Sequence, residues 1–187
     1  MKRIIWHWTG GAGRANASDL RRYAFVIEAD GRVVKGIHPP EVNLSIPRGA
    51  DIATYYVHTA RANTGAIGVA LAGMRRAVER PFDPGPDPIT PAQIDALARL
   101  TARLARDFAI PLTRETILSH AEVGPTLGIK QAGKWDITWI PDTIGPADPV
   151  AVGDILRGRV AEILHPKAPP KPAWRRRFEA YLPRMRS

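Results

Sequence analysis

The sequence predicts an α/β fold in which a central mixed β-sheet is flanked by α-helices. Two short apolar runs, at residues 4–8 and 66–71, are typical of strands buried inside a sheet. Two later segments begin with an N-cap residue followed by proline, at Thr90 and at Asp148, and continue with helical spacing of apolar residues. A chain of 187 residues, 44% of them hydrophobic, is long enough for one well-buried core.

The first predicted elements bring a histidine to the end of a strand. Residues 9–11, Thr-Gly-Gly, close the apolar run at 4–8, so His7 lies near the end of the strand, where loops build binding sites. Asn16 or Ser18 then supplies the N-cap of a short helix that leads into the next strand.

The following strands are predicted to form a hairpin and two separate strands. Residues 23–28 predict a strand, and Asp30-Gly31 predicts a turn into a strand at 33–34, because Asp-Gly readily adopts the positive φ of tight turns. Within the long Pro- and Gly-containing loop that follows, we expect a short strand at Tyr55–His58. The apolar run at 66–71 predicts a fully buried strand.

The C-terminal half is predicted to contain two long helices. Thr90 and Gln93 form a capping box around a proline, and the first helix extends to about Phe108. A short strand or turn is expected at 117–118, and the second helix extends from Asp148 to about residue 164. The side chains expected to face the core are Ile94, Leu97, Leu100, Leu104 and Phe108 in the first helix and Val152, Ile155, Leu156, Val160 and Ile163 in the second.

Residues 1–164 are predicted to form the folded domain, and 165–187 a linker with a basic tail. The prolines within 166–172 indicate a stiff, extended linker. The arginine-rich segment 173–187 is compatible with binding to an anionic envelope, with an amphipathic helix on a membrane surface, or with a solvated terminus. Stacking on nucleic acid is disfavoured, since nothing else in the chain is typical of a nucleic-acid-binding module.

Charge and cysteine content limit the partners and the chemistry. A net charge of +9 and a pI near 10.5 favour an anionic partner through long-range attraction. Because the chain has no cysteine, a metal ion must be held by histidine and carboxylate side chains. Few apolar residues precede His7, fewer than a secretory signal requires, so we expect synthesis in the cytoplasm.

His7, His120 and Asp136 are candidate ligands of a zinc ion. Two imidazole nitrogens and one carboxylate oxygen are the donors of a catalytic zinc site, which leaves a fourth position for water. The spacing of the three residues does not decide the matter, because no short motif holds two ligands on one helix. Alternatively, His7 is a structural histidine, His120 an exposed residue at a helix start and Asp136 the cap of a turn.

Several segments resemble one family in the same order along the chain. The sequence is similar to the zinc-dependent N-acetylmuramoyl-L-alanine amidases of the type 2 family, which are related to peptidoglycan recognition proteins, and above all to their phage and prophage endolysin branch. The segments that carry the resemblance are IIWHWTGG (4–11), YAFVIEADG (23–31), NTGAIGVALAG (63–73), SHAEV (119–123) and KWD (134–136).

The resemblance implies an enzyme that uses zinc-activated water to hydrolyse the amide bond between N-acetylmuramic acid and L-alanine. Zinc is then held by His7, His120 and Asp136. Lys134 stabilises the developing oxyanion, and Tyr23 hydrogen-bonds the reacting water or transfers a proton. Alternatively, Lys134 is a solvated surface lysine, and Tyr23 is an aromatic residue of a strand that packs in the core.

Four further residues are expected to bind substrate. His58 resembles a histidine that lines the pocket in the phage branch, and Asn63, Thr64 and Trp135 are expected in the pocket wall. The alternatives are a partly exposed strand residue for His58 and an ordinary turn for residues 63–65.

The chain departs from the family pattern at two positions. Ala70 stands where many longer relatives have a glutamate, so a carboxylate general base is absent there and more of the proton transfer falls to Tyr23, His58 and Lys134. Asp136 stands where some phage relatives have a cysteine. The third ligand is retained, whereas recognition proteins that bind without cleaving typically lose it.

The resemblance also implies the biological setting. We expect a monomeric endolysin whose partner is peptidoglycan and which acts on the cell wall after release from the cytoplasm. The alternatives are a non-catalytic wall-binding module and a cytoplasmic amidase that recycles wall fragments.

Overall fold

A five-stranded mixed β-sheet organises the part of the chain that the computed structural model describes, residues 1–141 and 143–166. Its strands are β1 (Arg3–Trp8), β2 (Phe25–Ile27), β3 (Val33–Lys35), β4 (Ala66–Leu71) and β5 (Ile117–Ser119). Their order across the sheet is β3-β2-β4-β1-β5. β1 is parallel to β4 and β5, β2 is parallel to β4, and β3 is antiparallel to β2. The predicted mixed sheet is confirmed.

The three predicted helices begin where the capping residues predict, and a fourth, short helix was not predicted. They are α1 (Ala17–Arg22), α2 (Pro91–Asp107), α3 (Val123–Leu127) and α4 (Pro149–Leu164), with a 3₁₀ turn at Pro40–Asn43. Asn16 caps α1 and Thr90 caps α2, each in a reciprocal capping box. None of the helices in the described residues has the length and hydropathy of a membrane-spanning segment. From residue 167 onward, the predicted linker and tail lie outside the described residues.

The two faces of β1 have different cover. Ile4, Trp6 and Trp8 belong to the large hydrophobic core that includes α2 and α4. Ile5 points to the opposite face and joins a smaller cluster with Leu118 of β5 and Val123 of α3. Since side chains alternate along a strand, His7 shares this second face with Ile5. The shorter elements and loops on this face leave room for a site at the end of β1.

The predicted strand at Tyr55–His58 is wrong, and a side chain takes the place of its pairing partner. Asn43 Oδ1 accepts from the backbone N–H of Tyr56 at 2.8 Å, and Asn43 Nδ2 donates to the Tyr56 carbonyl at 3.0 Å. Nδ2 also lies 3.2 Å from the carbonyl oxygen of Asn63. The extended segment therefore has its hydrogen bonds without belonging to the sheet.

The predicted buried face of α4 is wrong at Ile155, which is 47% exposed. The buried stripe of this helix includes Val152, Leu156 and Val160 but is displaced toward Gly153 and Arg157, which are also buried. Both of these residues pack against the buried carboxylate of Glu122, which follows β5. The side of α4 that faces the core is therefore not the side predicted from the apolar residues alone.

We expect Asn43→Ala to lower the free energy of unfolding by at least about 2 kcal/mol, because buried backbone groups of Tyr56 lose their partners. Urea denaturation provides the measurement. Ser45→Ala, on an exposed neighbour, is the matched control and should leave the stability within about 0.5 kcal/mol. Equal stability of both variants would contradict the role assigned to Asn43.

Candidate metal centre

Parallel pairing of the strands brings His7, His120 and Asp136 together. His7 is the penultimate residue of β1, and His120 directly follows β5, with its backbone N–H bonded to the Trp6 carbonyl at 2.9 Å. The Asp136 carbonyl accepts from the N–H of Ala121 at 2.8 Å, which joins the Asp136 loop to the His120 turn. All three side chains are buried, with residue exposures of 0%, 3% and 7%.

The donor atoms have the spacing that a zinc ion requires. Asp136 Oδ2 lies 3.2 Å from His7 Nδ1 and 3.4 Å from His120 Nδ1. Donors about 2.0–2.1 Å from a tetrahedral ion are roughly 3.3 Å apart, which both distances match. One ligand atom from each residue lies within 4.8 Å of the others. The donor chemistry and the two distances to Asp136 are therefore compatible with a zinc site.

Burial and mutual interaction set the charge of the centre. Burial raises the pKa of Asp136, but the adjacent imidazoles of His120 and His7 outweigh it and hold the pKa below its usual range. Burial lowers the pKa of His7, against the opposing effect of Asp136. A carboxylate beside a neutral imidazole is the protonation state in which both side chains can bind a cation.

His58 and Thr59 support His7 from behind. His7 Nε2 lies 3.1 Å from His58 Nδ1 and 3.3 Å from Thr59 Oγ1, so Nδ1 is left to face Asp136. Gly68 of β4 makes room for the His58 ring, since a Cβ at residue 68 would lie 2.7 Å from two of its atoms. The structure thus places His58 in contact with His7, and its predicted contact with substrate stays a prediction.

The other predicted pocket residues have different surroundings. Asn63 Oδ1 accepts from the backbone N–H groups of His58 and Thr59, at 3.1 and 2.8 Å, so its side chain orders this loop. Thr64 is exposed. The Trp135 ring packs edge-on against Trp8, with ring centroids 4.8 Å apart. Contact of these residues with substrate also stays a prediction.

Tyr23 and Lys134 lie at the edge of the centre. The Tyr23 ring centroid is 5.1 Å from that of His7. Burial, and then the negative charge of Asp136, raises the pKa of Tyr23 well above its usual range, so its phenol keeps its proton at neutral pH. Lys134 is exposed, yet its charge helps to lower the pKa of His7. Their predicted catalytic roles stay predictions.

Two surface depressions are lined by chain neighbours of the residues in and around the centre. One has a volume of about 510 Å³ and an apolar wall with two arginines. It is lined by Ser18, Arg21, Arg22, Ile37, Ile52, Ala53 and Val57. Arg22 immediately precedes Tyr23, and Val57 immediately precedes His58. The other, of about 390 Å³, includes Ala121, Lys134 and Trp135, which are chain neighbours of the remaining ligands.

The sequence of residues 1–138 matches the Amidase_2 family, described as N-acetylmuramoyl-L-alanine amidase. The chain belongs to this amidase family. The matched segment includes His7, His120 and Asp136, and the family expected from the sequence motifs is confirmed. No curated protein is significantly similar to the chain.

The chain is weakly similar to solved structures of two amidases. N-acetylmuramoyl-L-alanine amidase LysC from Clostridium intestinale URNW is 18% identical, with a TM-score of 0.41, and the match covers 69% of this chain and 86% of that one. The endolysin amidase LysCS from the same organism gives the same identity, TM-score and coverage of this chain, with 84% of that chain covered.

A buried ion pair holds the His120 turn of this amidase-family chain and was missed by the sequence analysis. Glu122 Oε2 accepts from the Ser119 N–H at 2.7 Å, and Arg157 Nη2 donates to Glu122 Oε1 at 2.8 Å. Arg157 Nη1 also donates to the Ile117 carbonyl at 2.9 Å. A Cβ on Gly153 would overlap the Glu122 carboxylate, so helix α4 approaches closely at a glycine. The one available signal was an arginine within an apolar helical stripe.

We expect Arg157→Ala to lower the free energy of unfolding by about 3–5 kcal/mol, because Glu122 would remain buried without its cation. Arg159→Ala on the same helix is the matched control, since its pair with Asp95 is at the surface, and should cost no more than about 1 kcal/mol. Guanidinium unfolding curves of the two variants and the unaltered protein measure these free energies. Similar midpoints would contradict the assignment.

We expect Gly68→Ala to weaken zinc binding at least about tenfold, because the added methyl displaces the His58 ring that supports His7. Gly158→Ala in α4 is the control, since nothing lies within 4 Å of its added Cβ, and should raise stability by about 0.5–1 kcal/mol without changing zinc affinity. Competition with a chromophoric chelator measures the affinity. Unchanged binding by Gly68→Ala would show that His58 does not support the centre.

Proposed function

We propose that the protein hydrolyses the amide bond between N-acetylmuramic acid and the L-alanine of the peptidoglycan stem, with zinc held by His7, His120 and Asp136. The observation that carries the proposal is the buried group of three donors within the amidase-matched segment. Its two nitrogens and one oxygen are the donor set of a catalytic zinc site. A bound zinc ion would supply an activated water and a Lewis acid for the amide carbonyl.

The neighbouring residues provide the remaining chemistry of amide hydrolysis. The phenol of Tyr23, which keeps its proton at neutral pH, can donate a hydrogen bond or a proton beside His7. The exposed ammonium of Lys134 can approach a bound substrate and stabilise negative charge on its carbonyl oxygen. Ala70, the partner of His7 in the β1–β4 pairing, has no group that accepts a proton. Tyr23 is thus our candidate for proton transfer.

The two depressions suit a substrate with a peptide on one side of the scissile bond and a sugar on the other. The larger one combines apolar side chains with Arg21 and Arg22, which match the alanine methyl groups and free carboxylates of a stem peptide. The smaller one, beside Lys134 and Trp135, can accommodate the muramic acid. Contacts from Asn63 and Thr64 remain part of this proposal.

The proposal includes the setting in which the enzyme acts. A net charge of +9 favours the approach to anionic wall and envelope polymers. We propose that the protein is a monomeric phage or prophage endolysin, synthesised in the cytoplasm, that cleaves the wall after release. Purified protein should then clear permeabilised bacteria added from outside. If only small soluble muropeptides are cleaved and intact wall is not, the recycling alternative replaces this setting.

We expect Asp136→Ala to lose both bound zinc and cleavage, because two histidines alone hold the ion poorly. Asp136→Cys should retain zinc, since a thiolate is also a good zinc ligand. Metal content is measured by mass spectrometry of the purified protein, and cleavage by the new alanine amino groups released from purified peptidoglycan. Asp107→Ala, at an exposed aspartate at the end of α2, is the control and should change neither quantity.

A chelator should abolish cleavage by the unaltered protein, and added zinc should restore it. Binding to the wall without release of alanine amino groups would support the non-catalytic module instead. Full metal content and full cleavage in Asp136→Ala would exclude Asp136 as a ligand.

A further inference from the structure

Gln131 connects the two loops that border the metal centre. Its Oε1 lies 3.0 Å from Nε2 of His120, and its Nε2 donates to the carbonyl of Ala60 at 3.0 Å. Ala60 directly follows His58 and Thr59, which support His7. One side chain therefore contacts the second histidine ligand and the loop behind the first.

The hydrogen bonds of Gln131 determine its orientation. A backbone carbonyl only accepts, so the group facing Ala60 must be the amide NH₂. The amide oxygen consequently faces His120, and this oxygen also only accepts. The proton of neutral His120 must then be on Nε2, which leaves the lone pair of Nδ1 directed at the centre, 3.4 Å from Asp136 Oδ2.

We propose that Gln131 is a positioning residue that fixes the Nε2–H tautomer and the ring orientation of His120 so that Nδ1 is presented to the metal. This inference rests on the proposed function for its purpose, although its geometry does not depend on cleavage. The same arrangement of contacts holds at His7, whose Nδ1 faces Asp136 and whose Nε2 faces His58 and Thr59. Both imidazoles are thus supported at Nε2 and present Nδ1.

The position of Gln131 makes the inference testable without loss of the fold. The side chain is only partly buried and belongs to neither hydrophobic core cluster, so its truncation leaves the packing intact. Gln131→Ala removes the acceptor for the Nε2 proton. Gln131→Glu keeps an acceptor at this position and replaces the amide oxygen by a stronger one. Lys130→Ala, on an exposed neighbour in the same loop, is the matched control.

Two measurements test the proposal. Long-range ¹H–¹⁵N spectra of the metal-free protein at about pH 8, where an ordinary imidazole is neutral, report the His120 tautomer. We expect Nε2–H in the unaltered protein and in Gln131→Glu and Lys130→Ala, and a mixture of tautomers in Gln131→Ala. Zinc affinity, measured by chelator competition, should fall about 10- to 100-fold in Gln131→Ala and remain within about threefold in the other two variants.

The outcomes separate this inference from the proposed function. An unchanged tautomer and zinc affinity in Gln131→Ala would overturn it, as would a loss of affinity matched by an equal loss in Lys130→Ala. If the unaltered protein binds zinc but does not cleave peptidoglycan, the proposed function fails while these variants still decide the role of Gln131. Thermal unfolding of the metal-free proteins should show equal midpoints, and a lowered midpoint in Gln131→Ala would assign the residue to stability instead.

Discussion

Parallel pairing of β1 with both of its neighbours is the constraint on which the candidate centre depends. Parallel strands end at the same edge of a sheet, so His7 at the end of β1 and His120 after β5 meet although the sequence separates them widely. The alternation of side chains then places His7 on the less covered face of the sheet. Asp136 completes the group through a loop that is hydrogen-bonded to the His120 turn. The site is therefore a consequence of topology before it is a consequence of any motif.

Local signals predicted most of the fold. The capping boxes at Asn16 and Thr90 and the Asp30-Gly31 turn are encoded by neighbouring residues, and the structure has them where the sequence indicates. The strand predicted at Tyr55–His58 is wrong because a distant side chain, Asn43, satisfies this backbone. A hydrogen bond of that kind has no periodic signature in the sequence. Ile155 was misassigned for a related reason, since a buried charge displaces the face of its helix.

The candidate site was predictable to a different degree. The resemblance of several ordered segments to one family indicated the three ligands, whereas their spacing left ordinary structural roles open. The groups that contact the candidate ligands, or the turn that carries His120, had no such indication. Gln131 lies between the family-like segments, and Arg157 lies beyond the segment that matches the family. Both act through contacts across loops and helices that only the folded chain reveals. Sequence motifs therefore indicated the candidate ligands, and the structure shows which residues contact them.

The hydrogen bonds of Asn43 separate an exposed loop segment from the residues that lead to the candidate centre. Residues 44–55 form the loop between Asn43 and Tyr56. The Asn43 side chain holds the backbone of Tyr56 in place. Ile52, 71% exposed, and Ala53 belong to this segment and line the larger groove. A change in the length or composition of residues 44–55 would therefore alter the wall of this groove while the Asn43 hydrogen bonds still hold the chain that leads to His58. Under the proposed function, this segment would set which stem peptides the groove accepts without moving the candidate metal ligands.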